Sequence, residues 1–225
     1  MKLTKWYTTR EIEADAHGLR KLYVTPQNRH FEKEIVEATT RWTRQWPGKP
    51  CPKYWQAHLR VVGLKMRAAG ARLRSGKAVL KVLPFKLVPP GASPPPESSV
   101  EVNNSGIMNQ IRTSRNVRLY SDGARCWPAM CKARGIRNFH VKHNKFEFAK
   151  KLPDVKRPKR GVVAGTQCID RMWASLDKFI PPELSNKSGK GGTVNEKIFT
   201  YLYAWVWRYH LPTKANFKVE LAKIC

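Results

Sequence analysis

Acidic residues are almost absent from one long part of this chain, and that charge pattern limits which folds and partners are possible. From Ala38 to Pro96 there is no Asp or Glu, whereas twelve Lys and Arg occur in the same stretch. The whole chain of 225 residues has 43 Lys and Arg against 16 Asp and Glu, a formal net charge of +27. Such an excess of one sign predicts a polyanionic partner, and nucleic acid is the partner that we expect.

Apolar residues are frequent enough to build a core, which argues against wholesale disorder: they make up 41% of the chain and include eight Trp. No apolar run approaches the roughly 20 residues needed to cross a bilayer, so no membrane span is expected. The first ten residues lack the apolar segment of a secretory signal. Five scattered cysteines favour free thiols in a reducing compartment: Cys51, Cys126, Cys131, Cys168 and Cys225. We therefore expect an intracellular protein, nuclear in a eukaryotic cell and otherwise in the cytoplasm or nucleoid.

Hydrophobic periodicity predicts strands that alternate with helices in one domain, 1–225, with a core from about 11 to 211. The predicted strands are 10–16, extended by 22–24, then 58–66, 77–88, 116–122 and 136–143. The predicted helices are 31–42, 100–111, 124–134, 165–184 and 195–211. Between them lie an insertion at 25–57, a Pro-rich loop at 89–99, a basic loop at 150–160 and a Gly/Lys loop at 185–194. This order is typical of an α/β fold with a mixed sheet and helices on its faces.

Three acids are isolated among basic residues and lie at the ends or flanks of predicted elements. Asp15 lies near the end of the first strand, and Asp122 ends the strand 116–122. Asp170 lies on the helix 165–184, about 120° from the centre of its apolar stripe. Carboxylates at such positions can hold two Mg²⁺ or Mn²⁺ ions roughly 3.5–4 Å apart, the arrangement that catalyses phosphoryl transfer.

A purely structural interpretation of the same acids stays open. Asp122-Gly123 is a common turn pair. Asp15 can pair with Arg20, and Asp170 can be a solvated acid on the outer side of its helix. The spacing alone does not decide between a metal site and these structural roles.

One further pattern suggests a zinc site: Cys126, Cys131, His140 and His143. Helix and strand geometry argues against it. Positions five apart on a helix diverge by about 140°, and the two histidines face opposite sides of a strand. We therefore expect the two cysteines to be buried thiols.

Four tryptophans also have two interpretations, because each can either pack in the core or stack on a flipped base: Trp42, Trp46, Trp55 and Trp127.

Four stretches resemble the DDE transposases of bacterial insertion sequences, specifically the ISXO-type transposase domain. Residues 11–15 (EIEAD) are similar to the strand that leads into the first catalytic Asp, and 117–123 (VRLYSDG) to the strand that ends in the second. Residues 140–146 (HVKHNKF) resemble the next strand, and 166–173 (TQCIDRMW) the helix that brings the third acid. The closing 205–209 (WVWRY) resembles the last helix of the family, so the resemblance covers about residues 11–211.

The resemblance implies an RNase H-like fold with a mixed five-stranded sheet. It implies that Asp15, Asp122 and Asp170 are catalytic and bind two Mg²⁺ or Mn²⁺ ions, and that His143 lies near them. The implied activity is metal-dependent cleavage and transfer of DNA strands, with water and then a DNA 3′-hydroxyl as the nucleophile. The implied partners are transposon-end or target DNA and a second copy of the chain on that DNA, without a membrane or a small-molecule cofactor.

Several positions depart from the family pattern. The third acid of the family is Glu, and Asp170 is one methylene shorter. Gln167 stands where the family often has Asn, and Asp177 stands where it often has Lys, with Lys178 beside it. We assign these side chains candidate supporting roles around the metal site. The family's amino-terminal DNA-reading domain is expected to be missing, because the chain starts almost at the first Asp.

Basic clusters are the expected contacts with DNA phosphates. One is bipartite and also has the pattern of a nuclear import signal: Lys150, Lys151, Lys156, Arg157, Lys159 and Arg160. The other is the Gly/Lys loop with Lys187 and Lys190, which lacks the residue order of a phosphate-binding loop. Two other functions stay open: a decayed or domesticated transposase copy that binds DNA without cutting it, and a basic RNA-binding protein.

Overall fold

A mixed five-stranded sheet forms the centre of the molecule. The computed structural model describes residues 11–67, 77–111, 113, 117–142, 145–152, 162–185 and 196–210. The sheet has the order β3-β2-β1-β4-β5, with β1 (Glu11–Val24), β2 (Trp55–Arg67), β3 (Ala78–Val88), β4 (Arg118–Ser121) and β5 (Arg137–His140). The first three strands pair antiparallel, whereas β4 runs parallel to β1 and β5 parallel to β4. The predicted α/β fold with a mixed sheet is thereby confirmed.

Helices cover both faces of this sheet, because side chains alternate between the faces along each strand. The helices are α1 (Glu32–Gln45), α2 (Ser99–Asn104), α3 (Cys126–Ala133), α4 (Gln167–Phe179) and α5 (Lys197–His210). Ile12 and Ala14 of β1 belong to the core beneath α2 and α3. Leu19 lies in the core beneath α4 and α5. No helix of the described residues is long and apolar enough to cross a membrane.

The first strand is longer than predicted. The described part of the first predicted stretch, 11–16, and the second, 22–24, belong to one continuous strand, β1. Its pairing with β2 shifts register between Gly18 and Arg20, where β1 has one residue more than its partner. Such a bulge bends a strand without ending it. α1 follows in the insertion between β1 and β2 and packs near the far end of β1, where Val24, Trp55 and Leu87 form a buried cluster.

The predictions failed at a second, two-stranded sheet. β6 (Ala149–Leu152) pairs antiparallel with β7 (Val162–Gly165). The prediction of a loop from 150 was therefore wrong at its start, because Lys150 and Lys151 extend along β6. The prediction that a helix starts at 165 was also wrong, because Gly165 is the last residue of β7 and α4 starts at Gln167.

Other elements are shorter than predicted. The predicted helix 100–111 ends at Asn104, because Gly106 adopts a left-handed conformation (φ 70°) and a 3₁₀ turn, Ile107–Gln110, follows. The predicted strand 136–143 is reduced to β5, Arg137–His140. The Gly/Lys loop predicted at 185–194 lies almost entirely outside the described residues.

Candidate active site

The start of α4 is anchored to β1 by a buried carboxylate. Glu13 is 1% exposed, and its Oε2 accepts hydrogen bonds of 2.8 Å from the backbone N–H groups of Cys168 and Ile169. The first N–H groups of a helix have no partner within the helix, and an anion is favourable there. Thr166, the N-cap residue, makes no side-chain capping bond, so Glu13 takes that role from the neighbouring strand.

Two further side chains of β1 continue this connection along α4. Asp15 Oδ2 accepts a 2.9 Å hydrogen bond from Trp173 Nε1, and His17 Nε2 lies 2.9 Å from Asp177 Oδ2. Two residues along a strand advance about 6.6 Å and four along a helix about 6 Å, so alternate positions of β1 meet successive turns of α4. The helix thus runs in the same direction as β1, with Asp170 in its first turn.

Gly63 makes room for the Trp173 contact. It pairs with Asp15 in the register between β1 and β2. A Cβ atom at Gly63 would lie 2.6 Å from Cη2 of Trp173, closer than any real contact allows. A glycine inside a strand often marks such a close approach.

Asp122 lies at the carboxyl end of β4, beside Asp15. Ile12 pairs with Leu119 in the parallel register, and continuing that register by three residues brings Asp15 level with Asp122. Asp122 Oδ1 accepts a 3.0 Å hydrogen bond from the backbone N–H of Ala124. Gly123 has φ 89°, a conformation that favours glycine. The predicted Asp-Gly turn is therefore confirmed, and it holds Asp122 at the edge of the sheet.

The three predicted acids come close enough to interact electrostatically. The pKa of Asp15 is raised well above its ordinary value, first by burial and then by the charge of Asp122, with smaller contributions from Glu97 and Asp170. The hydrogen bond from Trp173 lowers that pKa and offsets part of the effect. Asp170 is exposed on α4, and Thr166 Oγ1 donates a 3.2 Å hydrogen bond to its Oδ2.

Glu97 is a fourth carboxylate at this site, and sequence reasoning missed it. Its Oε1 accepts a 3.0 Å hydrogen bond from Trp127 Nε1 and a longer one, 3.6 Å, from the Cys126 thiol. Burial raises the pKa of Glu97, and the charge of Asp122 raises it further. A signal was present in the sequence, because Glu97 is the first acid after the acid-free stretch.

The chemistry of these four side chains suits a divalent cation. Carboxylate oxygens are the ligands that Mg²⁺ and Mn²⁺ prefer, and a cation relieves the repulsion between the carboxylates. As the side chains lie, however, no three His, Cys, Asp or Glu of the described residues are positioned to hold a metal ion. The donor set therefore fits a divalent metal in its chemistry but not in the arrangement that the described side chains have here.

The candidate supporting residues lie at different distances from this cluster. Gln167 is exposed at the first position of α4, and Lys178 is exposed near its end. Asp177 lies two turns beyond Asp170, beside His17, with Arg20 Nη1 3.7 Å from its Oδ1. His143 lies outside the described residues.

The proposed pairing of Asp15 with Arg20 was wrong. Arg20 instead donates to the carbonyl oxygens of Leu19 and Ile180, both at 2.8 Å, near the end of α4. A cation at a helix carboxyl terminus is favourable.

The cysteines of the zinc pattern are buried thiols, as predicted. Cys126 and Cys131 lie on the buried side of α3, and burial raises the pKa of Cys131 to about 12. Zinc binds the thiolate form, which burial disfavours here. His140, the third member of the pattern, is exposed.

Two of the predicted DNA-binding lysines are described, and both are exposed on β6. Lys150 Nζ lies 3.2 Å from Glu147 Oε1, and Lys151 is its neighbour. Ala164 of β7 packs with Tyr120 of β4, so the small sheet lies against the strand that Asp122 directly follows. The other predicted phosphate contacts lie outside the described residues: Lys156, Arg157, Lys159, Arg160, Lys187 and Lys190.

Comparisons of the chain with protein-family models, with curated proteins and with solved structures returned no match.

Proposed function

We propose that this protein is a transposase-like DNA-binding protein that cleaves and joins DNA strands with divalent metal ions, on an RNase H-like fold. One observation carries the proposal. Asp15, Asp122 and Asp170 were singled out by their isolation in a basic chain, and they lie close enough to interact: the pKa of Asp15 is raised first by its burial, then by the charge of Asp122 and, to a smaller extent, by that of Asp170. The mixed five-stranded sheet flanked by helices is compatible with the fold that the resemblance implies.

The contacts of these residues indicate a separate role for each of them. Asp15 and Asp122 provide oxygens from adjacent parallel strands, and Asp170 provides oxygens from the first turn of α4. Glu13 and Trp173 fix α4 against β1 and so keep Asp170 near the other two. A divalent ion held by these residues would neutralise developing phosphate charge and lower the pKa of a water molecule.

The surroundings of the acids are suited to DNA. The small β6–β7 sheet flanks β4 and carries exposed Lys150 and Lys151, and β7 leads directly into α4. Phe146, just before β6, is 85% exposed with a φ of 57°, which is rare for a bulky residue. Lysines attract phosphates, and exposed aromatic side chains stack on bases or wedge between them.

A second candidate, a DNA-binding protein that no longer cuts, is favoured by a different observation. As placed, the described carboxylates do not form a metal-binding group. Asp170 is shorter than the glutamate of the resembled family and is bound by Thr166, while Asp15 is bound by Trp173. If these contacts persist in the presence of metal, the acids remain apart.

A nicking assay on supercoiled DNA separates the two candidates. We expect the wild type to nick with Mn²⁺ and not with EDTA, and Asp122→Asn to lose this activity. Glu183→Gln removes an exposed acid from the 3₁₀ turn after α4 and is the matched control, expected to nick like the wild type. Equal nicking by wild type and Asp122→Asn removes the catalytic claim. DNA binding without nicking by any of the proteins favours the second candidate.

A further inference from the structure

A groove lined by tryptophan lies between α1 and the Pro-rich segment that follows β3. Its volume is about 590 Å³, within the range of ligand sites. One wall consists of α1 and the turn after it, where residues three and four apart share a face. The opposite wall is formed by Pro89, Pro90 and Pro95. We call it the tryptophan groove.

The three indoles of the tryptophan groove differ in exposure. Trp55 is 1% exposed and belongs to the core, whereas Trp46 is 40% exposed. Trp42 is half-buried, and its ring centre lies 6.1 Å from that of Trp46. The structure thus separates the four tryptophans whose role the sequence left open: Trp55 and Trp127 are buried, and Trp42 and Trp46 offer ring surface in the groove.

Trp42 also presents a hydrogen-bond donor without an acceptor. Its Nε1 is buried and has no hydrogen-bond partner among the described residues. A buried donor that stays unpaired costs roughly 1–3 kcal/mol, so native proteins seldom leave one without a reason. Because this nitrogen is closed to solvent as it lies, a ligand with acceptor atoms can satisfy it only if the Trp42 ring turns toward the groove.

The charge of the groove points to an anion with aromatic character. Arg41 and Lys49 line it, and no Asp or Glu of the described residues does. Lys49 Nζ lies over the face of the Trp46 ring, 4.5 Å from its centre, so a base that stacks on that face has to displace the ammonium group. A nucleotide has both matching parts, a flat base with acceptor atoms and a phosphate.

We propose that the tryptophan groove binds an unpaired nucleobase of a DNA strand. The base stacks on Trp46 and Trp42, and its flanking phosphates contact Arg41 and Lys49. Stacking on aromatic side chains suits any base, so the site selects unpaired DNA rather than a sequence.

The groove is connected to the carboxylate cluster by one short segment. Pro95 lines the groove, and Glu97 in the cluster follows two residues later. Arg60 fixes this segment from below, because it donates to the Pro95 carbonyl at 3.4 Å and to Glu101 at 2.6 Å. A strand that leaves the groove along this segment is led toward the acids. The choice of DNA as ligand rests on the proposed function, but binding in the groove requires neither metal nor cleavage.

Fluorescence anisotropy with a short labelled oligothymidylate tests the groove. The titration is made in EDTA at one salt concentration, because phosphate binding depends steeply on salt. We expect Trp46→Ala to weaken binding about tenfold and Trp46→Phe to restore most of the affinity. Tyr203→Ala is the matched control, because Tyr203 is a 75% exposed aromatic residue on α5, away from the groove. An unchanged affinity of Trp46→Ala overturns the proposal.

Photocrosslinking of the wild-type protein gives a second readout that does not depend on a variant's folding. An oligonucleotide with 5-iododeoxyuridine is expected to crosslink within 38–49 or 87–95. Crosslinks confined to other segments contradict the proposal. The proposal is also contradicted if a proline-rich peptide binds in the groove and DNA does not displace that peptide. Because these experiments contain EDTA, their outcome is independent of the nicking assay, and either can fail while the other succeeds.

Discussion

The indole Nε1–H of Trp173 donates a 2.9 Å hydrogen bond to Oδ2 of Asp15, and the Trp173 ring lies over Gly63, the residue paired with Asp15 on β2. The contact sets the depth at which α4 packs on the sheet. It also lowers the pKa of Asp15 against the effect of burial and of the nearby acids. The position of α4 and the pKa of Asp15 therefore both depend in part on Trp173.

Gly63→Ala tests this packing. The added methyl group would lie 2.6 Å from Trp173 and forces the indole away from Asp15. We expect a loss of about 1–3 kcal/mol in the free energy of unfolding, measured by urea denaturation. Gly18→Ala on the same sheet is the control, since a Cβ atom there meets nothing within 4 Å. Equal stability of the two variants would show that the Trp173 ring can move aside without cost, and would contradict this account of the packing.

Asp15→Asn is expected to stabilise the metal-free protein. The carboxylate is disfavoured by burial and by the charge of Asp122, whereas an amide carries no charge and still accepts the bond from Trp173. The melting temperature at pH 7 in EDTA should rise by a few degrees.

The pH dependence of this effect has a definite sign. The folded-state pKa of Asp15 is raised, so its penalty is absent below about pH 4, grows as the pH rises toward that pKa and is complete above it. The stability difference between Asp15→Asn and the wild type should therefore widen with rising pH. A difference that does not vary with pH contradicts the account of Asp15.

Glu101 is expected to support stability in the opposite pH direction. Burial alone would raise its pKa, but hydrogen bonds from Lys86, the Ser98 backbone and Arg60 lower it to about 2. Removing one partner of a buried ion pair costs about 3 kcal/mol, so Glu101→Gln should lose about that much at pH 7.

Because the folded-state pKa of Glu101 is lowered, its contribution is present above the ordinary Glu pKa and is lost as the pH falls toward about 2. The stabilities of wild type and Glu101→Gln should therefore converge in acid. Glu147→Gln, which removes the half-buried partner of the exposed Lys150, is the control and should leave stability nearly unchanged. A constant gap between wild type and Glu101→Gln from pH 7 to pH 3 goes against this assignment.

Glu97→Gln tests the fourth carboxylate. An amide keeps the hydrogen bond from Trp127 but removes the charge that interacts with Asp122. We expect metal-dependent nicking to fall by about tenfold or more, in the range found for residues around metal ligands. Glu183→Gln should nick at the wild-type rate, and a Glu97→Gln variant that does the same removes Glu97 from the site.

Local patterns predicted much of this architecture. The isolation of Asp15, Asp122 and Asp170 identified acids from three separate parts of the chain that the fold brings within electrostatic reach of one another. Strand and helix periodicity located most elements. Glu97 was missed because its place in a Pro-rich loop gives no periodicity. The β6–β7 sheet was missed because its two four-residue strands, AKKL and VVAG, show no regular alternation of apolar and polar residues.

The contacts that fix the site are non-local, and no local pattern reveals them. Trp173 of α4 donates a hydrogen bond to Asp15 of β1, 158 residues away in the sequence. Gly63 of β2 leaves the space that the Trp173 ring occupies. Glu13, which was predicted only as part of an acid-rich strand, caps α4 from another element.

Calorimetric titration of Mn²⁺ into the wild-type protein and into Asp122→Asn tests the central claim most directly. The account predicts that the wild type binds Mn²⁺, that Asp122→Asn loses most of this affinity, and that Glu183→Gln retains it. The account is contradicted if the wild type binds no Mn²⁺ at millimolar concentration, or if wild type and Asp122→Asn bind it equally well.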